Sequence, residues 1–165
     1  MLNIHLGEHY HLARQYDLAI EQHRRTLELN PNHPNVRPLL ALVYEQKGMY
    51  AEAIAELEKA ESFFAGSSRV RGSLGRVYGL AGRRAEARKV LQGLIRDRAG
   101  PNYVAADDIG AVYVGLGETD LAFEWLRRAC EERATALVNL KVEPAFDRFR
   151  NDRRFADLMR CVGLS

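Results

Sequence analysis

The segment LALVY (residues 40–44) recurs at three other places in the chain, as LGEHY at 6–10, LGRVY at 74–78 and IGAVY at 109–113. The closing tyrosines are therefore separated by 34, 34 and 35 residues. An alanine follows each tyrosine by nine residues, at Ala19, Ala53, Ala87 and Ala122. Self-similarity at a period of roughly 20–50 residues is typical of repeat architectures. We therefore expect a series of similar structural units.

The residue types at the repeated positions suit a pair of antiparallel helices. The second residue of each segment is glycine or alanine, and with the later alanine it would lie where two helices cross, because close axes leave no room for a large side chain. The tyrosine would fill the space between neighbouring pairs, with a hydroxyl able to reach a polar partner. A glycine at Gly48, Gly82 and Gly117 would end the first helix in a left-handed turn, where the first unit has Arg14 instead.

This pattern resembles the tetratricopeptide repeat, whose period of about 34 residues it matches. The resemblance implies an all-α fold, an α-solenoid of four helical hairpins over residues 1–134. The units would span about 1–33, 34–67, 68–102 and 103–134. One hairpin cannot bury its apolar face alone, so neighbouring hairpins must stack.

Residues 135–165 break the period and are expected to form a C-terminal helical cap over the exposed face of the last hairpin. Pro144 would open a short helix through Phe149, and Asp152 would cap a last helix. The order LKVEPAFD (residues 140–147) resembles a C-terminal element of bacterial multidomain signalling proteins. Those proteins carry a kinase, a cyclase or a winged-helix regulator ahead of their repeats.

Composition argues against several classes of protein. A net charge of +2 is too small to favour a nucleic-acid partner. The tail arginines Arg148, Arg150, Arg153 and Arg154 are interleaved with acidic residues, which also disfavours a nucleic-acid patch. We find no signal peptide and no apolar run of roughly 20 residues, so we expect a cytoplasmic chain with no membrane partner. Cys130 and Cys161 have no metal-like spacing and are expected to be reduced thiols.

In the tetratricopeptide family the first helix of each hairpin lines a concave groove. The resemblance places these residues there: His5, Glu8, His11, Leu39, Leu42, Glu45, Arg69, Ser73, Arg76, Asp107 and Asp108. Such a groove has an apolar middle, a basic stretch and an acidic end, and it would suit an extended peptide or a partner helix of mixed charge. We expect Arg76→Glu to weaken peptide capture without unfolding the chain.

The leading hypothesis is a non-catalytic scaffold that binds a protein or peptide ligand, with no cofactor and no metal. One alternative is a regulatory or oligomerisation module cut from a larger bacterial signalling protein. In that case the N-terminal apolar face formed by Leu2, Ile4 and Leu6 could mediate a homodimer.

A second alternative is a metal-dependent enzyme. The stretch HLGEH (residues 5–9) matches H-x-x-E-H, in which His5 and His9 at i and i+4 could share a metal ion. The repeat already explains Leu6 and Gly7, however, so the pattern favours a chain that is not an enzyme.

Overall fold

The computed structural model describes residues 2–134, 137 and 139–164, and the side chains from residue 4 onward within those ranges. Its secondary structure is helical, with no β-strand among the described residues. The α-helices are α1 Leu2–Leu12, α2 Tyr16–Leu29, α3 Val36–Gln46, α4 Tyr50–Phe63, α5 Ser68–Leu80, α6 Arg84–Ala99, α7 Ala106–Leu116, α8 Thr119–Glu131 and α9 Arg153–Cys161. A 3₁₀ helix spans Pro144–Phe149. The predicted all-α solenoid is confirmed.

Consecutive helices form four hairpins, α1/α2, α3/α4, α5/α6 and α7/α8, which stack along the chain. The alanine of each repeat is fully buried where its hairpin closes: Ala19, Ala53, Ala87 and Ala122. The glycine of the first hairpin is also required, since a Cβ at Gly7 would lie 2.5 Å from the ring of His23. The small residues therefore let the helices approach closely, as the sequence predicts.

The repeated tyrosines of the last three hairpins are buried between neighbouring units, and two of their hydroxyls are paired. The Tyr44 hydroxyl accepts a hydrogen bond from Arg24 Nε at 3.0 Å. The Tyr78 hydroxyl donates to Glu58 Oε1 at 3.1 Å. Each ring thus fills space inside the stack while its polar end is satisfied.

The turn after each first helix has the predicted left-handed backbone. Gly48, Gly82 and Gly117 have φ values of 73°, 77° and 75°. Arg14 adopts the same conformation with φ of 60°, although a side chain is disfavoured there. The first unit therefore keeps the turn at a cost in backbone strain.

The third and fourth hairpins meet more closely than the others, because α7 packs directly against α5 along a row of glycines. A Cβ at Gly79 would lie 2.5 Å from the carbonyl carbon of Gly115. A Cβ at Gly72 would lie 2.7 Å from the carbonyl oxygen of Asp108. Backbone rather than side chains forms this contact, and it brings Asp108 towards α5.

We predict that Gly79→Ala destabilises the fold by about 1–3 kcal/mol, because the added methyl meets backbone that cannot move aside. Gly100→Ala is the matched control, since its Cβ would have no neighbour closer than 3.4 Å. Its effect should stay within about 0.5 kcal/mol. Urea unfolding of both variants measures the difference, and equal stabilities would contradict close packing of α5 on α7.

The tail forms the predicted short helix and final helix. Asp152 caps α9, with its Oδ1 accepting from the Arg154 N–H at 2.9 Å. The helix α9 lies against α8, and Phe149 packs edge-on against Phe123 with ring centroids 5.4 Å apart. The C-terminal helical cap on the last hairpin is confirmed.

The two cysteines form a disulfide between the ends of α8 and α9. The prediction of reduced thiols for Cys130 and Cys161 is therefore wrong. They lie 31 residues apart in sequence, but α9 folds back on α8 and brings their Cα atoms to 6.3 Å. Disulfides are rare in cytosolic proteins, so the cytoplasmic location stays a prediction.

Chain purified without reductant should contain no thiol that reacts with an alkylating agent. Reduction should lower the free energy of unfolding by about 2–4 kcal/mol, because the bond closes a long loop. The double variant Cys130→Ser/Cys161→Ser should show no response to reductant. Two alkylated cysteines in the native, oxidised preparation would contradict the bond.

Candidate functional site: the concave groove

Eight of the predicted groove residues meet at one cavity of about 180 Å³ between α3, α5 and α7. They are Leu39, Leu42, Glu45, Arg69, Ser73, Arg76, Asp107 and Asp108. These side chains come from three separate hairpins, so the stacking of the solenoid is what brings them together. The cavity combines an apolar wall with charges of both signs.

The chain's own tail forms another wall of this cavity, through Glu143 and Phe146. We call residues 143–148 (EPAFDR) the tail segment. The sequence predicts that the tail covers the last hairpin, and α9 does so. The tail segment, however, leaves the last hairpin and lies across the groove.

The three predicted residues of α1 have different surroundings. Glu8 lines a neighbouring cavity of about 350 Å³ together with Leu39, Arg69 and Ser73. His5 is exposed, lines neither of these two cavities, and places its Nδ1 3.1 Å from Glu8 Oε2.

His11 is buried against the tail rather than open to a ligand. Its Nε2 lies 3.1 Å from Glu143 Oε1, and both side chains are largely removed from solvent. Burial raises the pKa of Glu143, but His11, through its hydrogen bond and charge, acts together with the Ala145 N–H and Arg76 to hold the pKa below its usual value. His11 therefore belongs to the contact between the groove and the tail segment.

Glu45 and Arg76 form a buried ion pair at the centre of the groove. Arg76 Nε donates to Glu45 Oε2 at 3.0 Å, and the side chains are 15% and 4% exposed. Burial raises the pKa of Glu45, and the charge of Arg76 offsets part of that effect. Reversing the charge of Arg76 would leave two carboxylates together in a buried site, at a large cost. This geometry therefore disfavours the expectation that Arg76→Glu leaves the fold intact.

Asp107 and Asp108 form the acidic end of the groove. Burial raises the pKa of Asp108 to about 6, a rise that Ser68 and Arg69 oppose and Asp107 reinforces. Burial also raises the pKa of Asp107, whose Oδ1 is buried with no hydrogen-bond partner in the described part of the chain. A cationic group placed here would meet carboxylates that are incompletely compensated.

Asp108→Asn should raise stability at pH 7 by about 1–3 kcal/mol. The pKa of Asp108 in the folded chain is about 6, above its ordinary value of 3.8. At pH values between these two, the folded chain therefore binds more protons than the unfolded chain. The free energy of unfolding of the native sequence should therefore fall as the pH rises from about 4 to 6.

Urea unfolding at pH 4 and pH 7 measures both effects. In Asp108→Asn, the part of the fall in the free energy of unfolding that is due to Asp108 should disappear. Asp157→Asn is the control, because Asp157 is largely exposed on α9. An Asp108→Asn chain that is less stable at pH 7 and keeps the full pH slope would contradict burial of this charge.

The repeats match a family model described as tetratricopeptide repeat, at residues 10–71 and 45–106. These overlapping matches together span more than half of the chain. The chain belongs to the tetratricopeptide repeat family.

A curated relative of this tetratricopeptide chain is the photosystem I assembly protein Ycf3 of Prochlorococcus marinus subsp. pastoris (strain CCMP1986 / NIES-2087 / MED4). The two are 31% identical over 62 residues, which is 38% of this chain and 36% of that protein. The chain thus covers little more than a third of its relative's length.

The structure also describes the predicted histidine pair and part of the predicted N-terminal apolar face of the tetratricopeptide chain. His5 and His9 are exposed on α1, and the described residues contain no group of three or more His, Cys, Asp or Glu side chains that could hold a metal ion. Leu6 is 38% exposed, while the side chain of Leu2 lies outside the described part. In the part of the chain that the structure describes, no helix is long and apolar enough to cross a bilayer.

Three of the four tail arginines are used in contacts within the chain. Arg148 donates to the Val114 carbonyl oxygen, Arg150 pairs with Asp147 at 2.7 Å, and Arg154 pairs with Asp120 at 2.7 Å. These contacts give the interleaving of arginines and acids in the tail a structural role.

Sequence reasoning missed the position of the tail segment across the groove and the contact that Arg14 makes with it. The Arg14 guanidinium donates to both carboxylate oxygens of Asp147, at 2.9 and 2.7 Å. One signal was present in the sequence, because Arg14 occupies the turn position that is glycine in the other three units. The strained backbone at Arg14 is thus accompanied by a contact to the tail that glycine could not make.

Proposed function

We propose that this chain is a non-catalytic scaffold that binds a protein or peptide through its concave groove. The observation that carries the proposal is the meeting of eight groove side chains at one cavity between three hairpins. Membership of the tetratricopeptide family supports a role in protein interaction. The relative's name, an assembly protein, is in keeping with a scaffold.

The charges of the groove favour binding over chemistry. Glu45 pairs with Arg76, and His11 pairs with Glu143, so these side chains are already engaged in contacts within the chain. The apolar side chains Leu39 and Leu42 offer anchoring surface for a ligand. The acidic end at Asp107 and Asp108 would select a cationic group.

A second candidate is a regulatory or oligomerisation module of a larger bacterial signalling protein, with a homodimer formed through the N-terminal apolar face. The exposure of Leu6 on α1 favours it. Light scattering over a concentration series separates the two candidates. A strict monomer would remove self-association through this face.

Arg69→Glu is the variant that tests the groove. Arg69 is exposed and lines both groove cavities, so its charge can be reversed without burying an unpaired group. The control is Arg160→Glu on α9, since Arg160 is also exposed but lies outside the groove cavities.

We expect Arg69→Glu to weaken partner binding about tenfold, equivalent to about 1.4 kcal/mol, in a chain that stays folded. Capture from an extract of the source cell, followed by titration of the captured partner, measures this. Arg160→Glu should bind like the native chain. Equal binding by all three chains would show that the groove is not used.

A further inference from the structure

The tail segment crosses the groove as a bound peptide would. On one side of the tail segment, Glu143 contacts His11 of α1, and Asp147 contacts Arg14 just beyond that helix. At the other side Arg148 donates to the Val114 carbonyl oxygen of α7. The segment therefore spans from the first hairpin to the fourth.

The middle of the tail segment contributes its apolar residues. Phe146 lines the same cavity as Leu39 and Leu42, and Pro144 is buried. Pro144 also opens the 3₁₀ helix, which the Glu143 side chain caps by accepting from the Ala145 N–H at 3.4 Å. An acid, a proline-initiated turn, an aromatic ring and a second acid are thus presented to the groove in that order.

The tail segment fills the groove incompletely. A cavity of about 180 Å³ lies on the side of Glu143 and Phe146, and another of about 310 Å³ lies on the side of Ala145 and Arg148. The pair of Arg14 and Asp147 is 49% and 40% exposed, so water weakens it. A longer segment of the same chemistry could make these contacts and fill the adjoining space.

The disulfide keeps the tail segment close to the groove. The loop between Cys130 and Cys161 contains the whole segment, and α9 is anchored on α8 at its far end. Rebinding is therefore intramolecular and occurs at a high effective concentration. Such tethering would let the tail segment compete reversibly with a ligand of the groove.

We propose that the tail segment occupies the binding site of the partner. The partner is a protein segment that carries the same order of acid, proline turn, aromatic ring and acid. This inference rests on the proposed use of the groove. The partner binds by displacing residues 143–148 from His11, Arg14 and the apolar wall. The acids and the aromatic ring of the partner supply its specificity.

A fluorescent peptide of residues 141–151 (KVEPAFDRFRN) tests the proposal on the full, disulfide-bonded chain. In the chain variant Glu143→Gln/Asp147→Asn the contacts of the tail segment are weakened while the side chains of the four hairpins are unchanged. We expect the peptide to bind this variant about tenfold more tightly than the native chain, because less competition remains. Absence of binding to the variant would overturn the proposal.

Arg14→Gly in the same background is the specificity control. Glycine suits the positive φ at this position, as at Gly48, so a loss of binding would not come from unfolding. We expect the peptide to bind this triple variant at least several-fold more weakly than the double variant. Unchanged affinity would overturn the proposed contact of the peptide with Arg14. A peptide with Phe146→Ala should also bind weakly, whereas full affinity would rule out the aromatic anchor.

The outcomes also separate this inference from the proposed function. If the peptide fails to bind while partner capture still depends on Arg69, the groove is used but its ligand chemistry differs from the tail segment. If capture does not depend on Arg69 either, the groove itself is not used. A dimer of the native chain that Asp147→Asn converts to monomer would show that the occupant is a second copy of the tail, and would also overturn the proposal.

Discussion

The close crossing of two helices at a small residue is the constraint on which the rest of the structure depends. A fully buried alanine recurs in every hairpin, from Ala19 to Ala122, and leaves space for one helix axis to approach the other. Because the crossing point recurs with the period of the sequence, α3, α5 and α7 turn equivalent faces to one cavity. Groove residues that are more than 60 positions apart, such as Leu39 and Asp107, thereby line one cavity.

The groove that results is neither open nor uniform. Its central charges are largely paired, as in Glu45 with Arg76, and its acidic end remains undercompensated at Asp107 and Asp108. The glycine contact between α5 and α7 brings that acidic end close to the third hairpin. Over this surface lies the tail segment, so a partner would meet a groove that already holds part of the chain.

The periodic part of the fold could be predicted from the sequence, and the aperiodic part could not. Each hairpin contacts its neighbours in the same way, so small residues, tyrosines and turn glycines at fixed spacing are sufficient to predict four hairpins. The signal for Gly79 was its spacing of seven from Gly72, which puts both on one face of α5. That spacing does not indicate which helix packs against this face of α5.

The position of the tail depends on single contacts that no period repeats. The bond between Cys130 and Cys161, and the contact of Glu143 with His11, join residues far apart in sequence that have no counterpart in other units. Burial of Arg76 against Glu45 likewise follows from the stacking of two particular hairpins. For the same reason the sequence could indicate which residues of α3, α5 and α7 lie at one cavity, but not that the tail segment lies across it.

Hydrogen exchange of the full chain, with and without a captured partner, measures whether a partner occupies the groove and displaces the tail segment. We expect slower exchange along α3 and α5, which line the groove, together with faster exchange in residues 143–148 as the tail segment is displaced. Protection confined to the second helices α2, α4 and α6, with the tail segment unchanged, would contradict it.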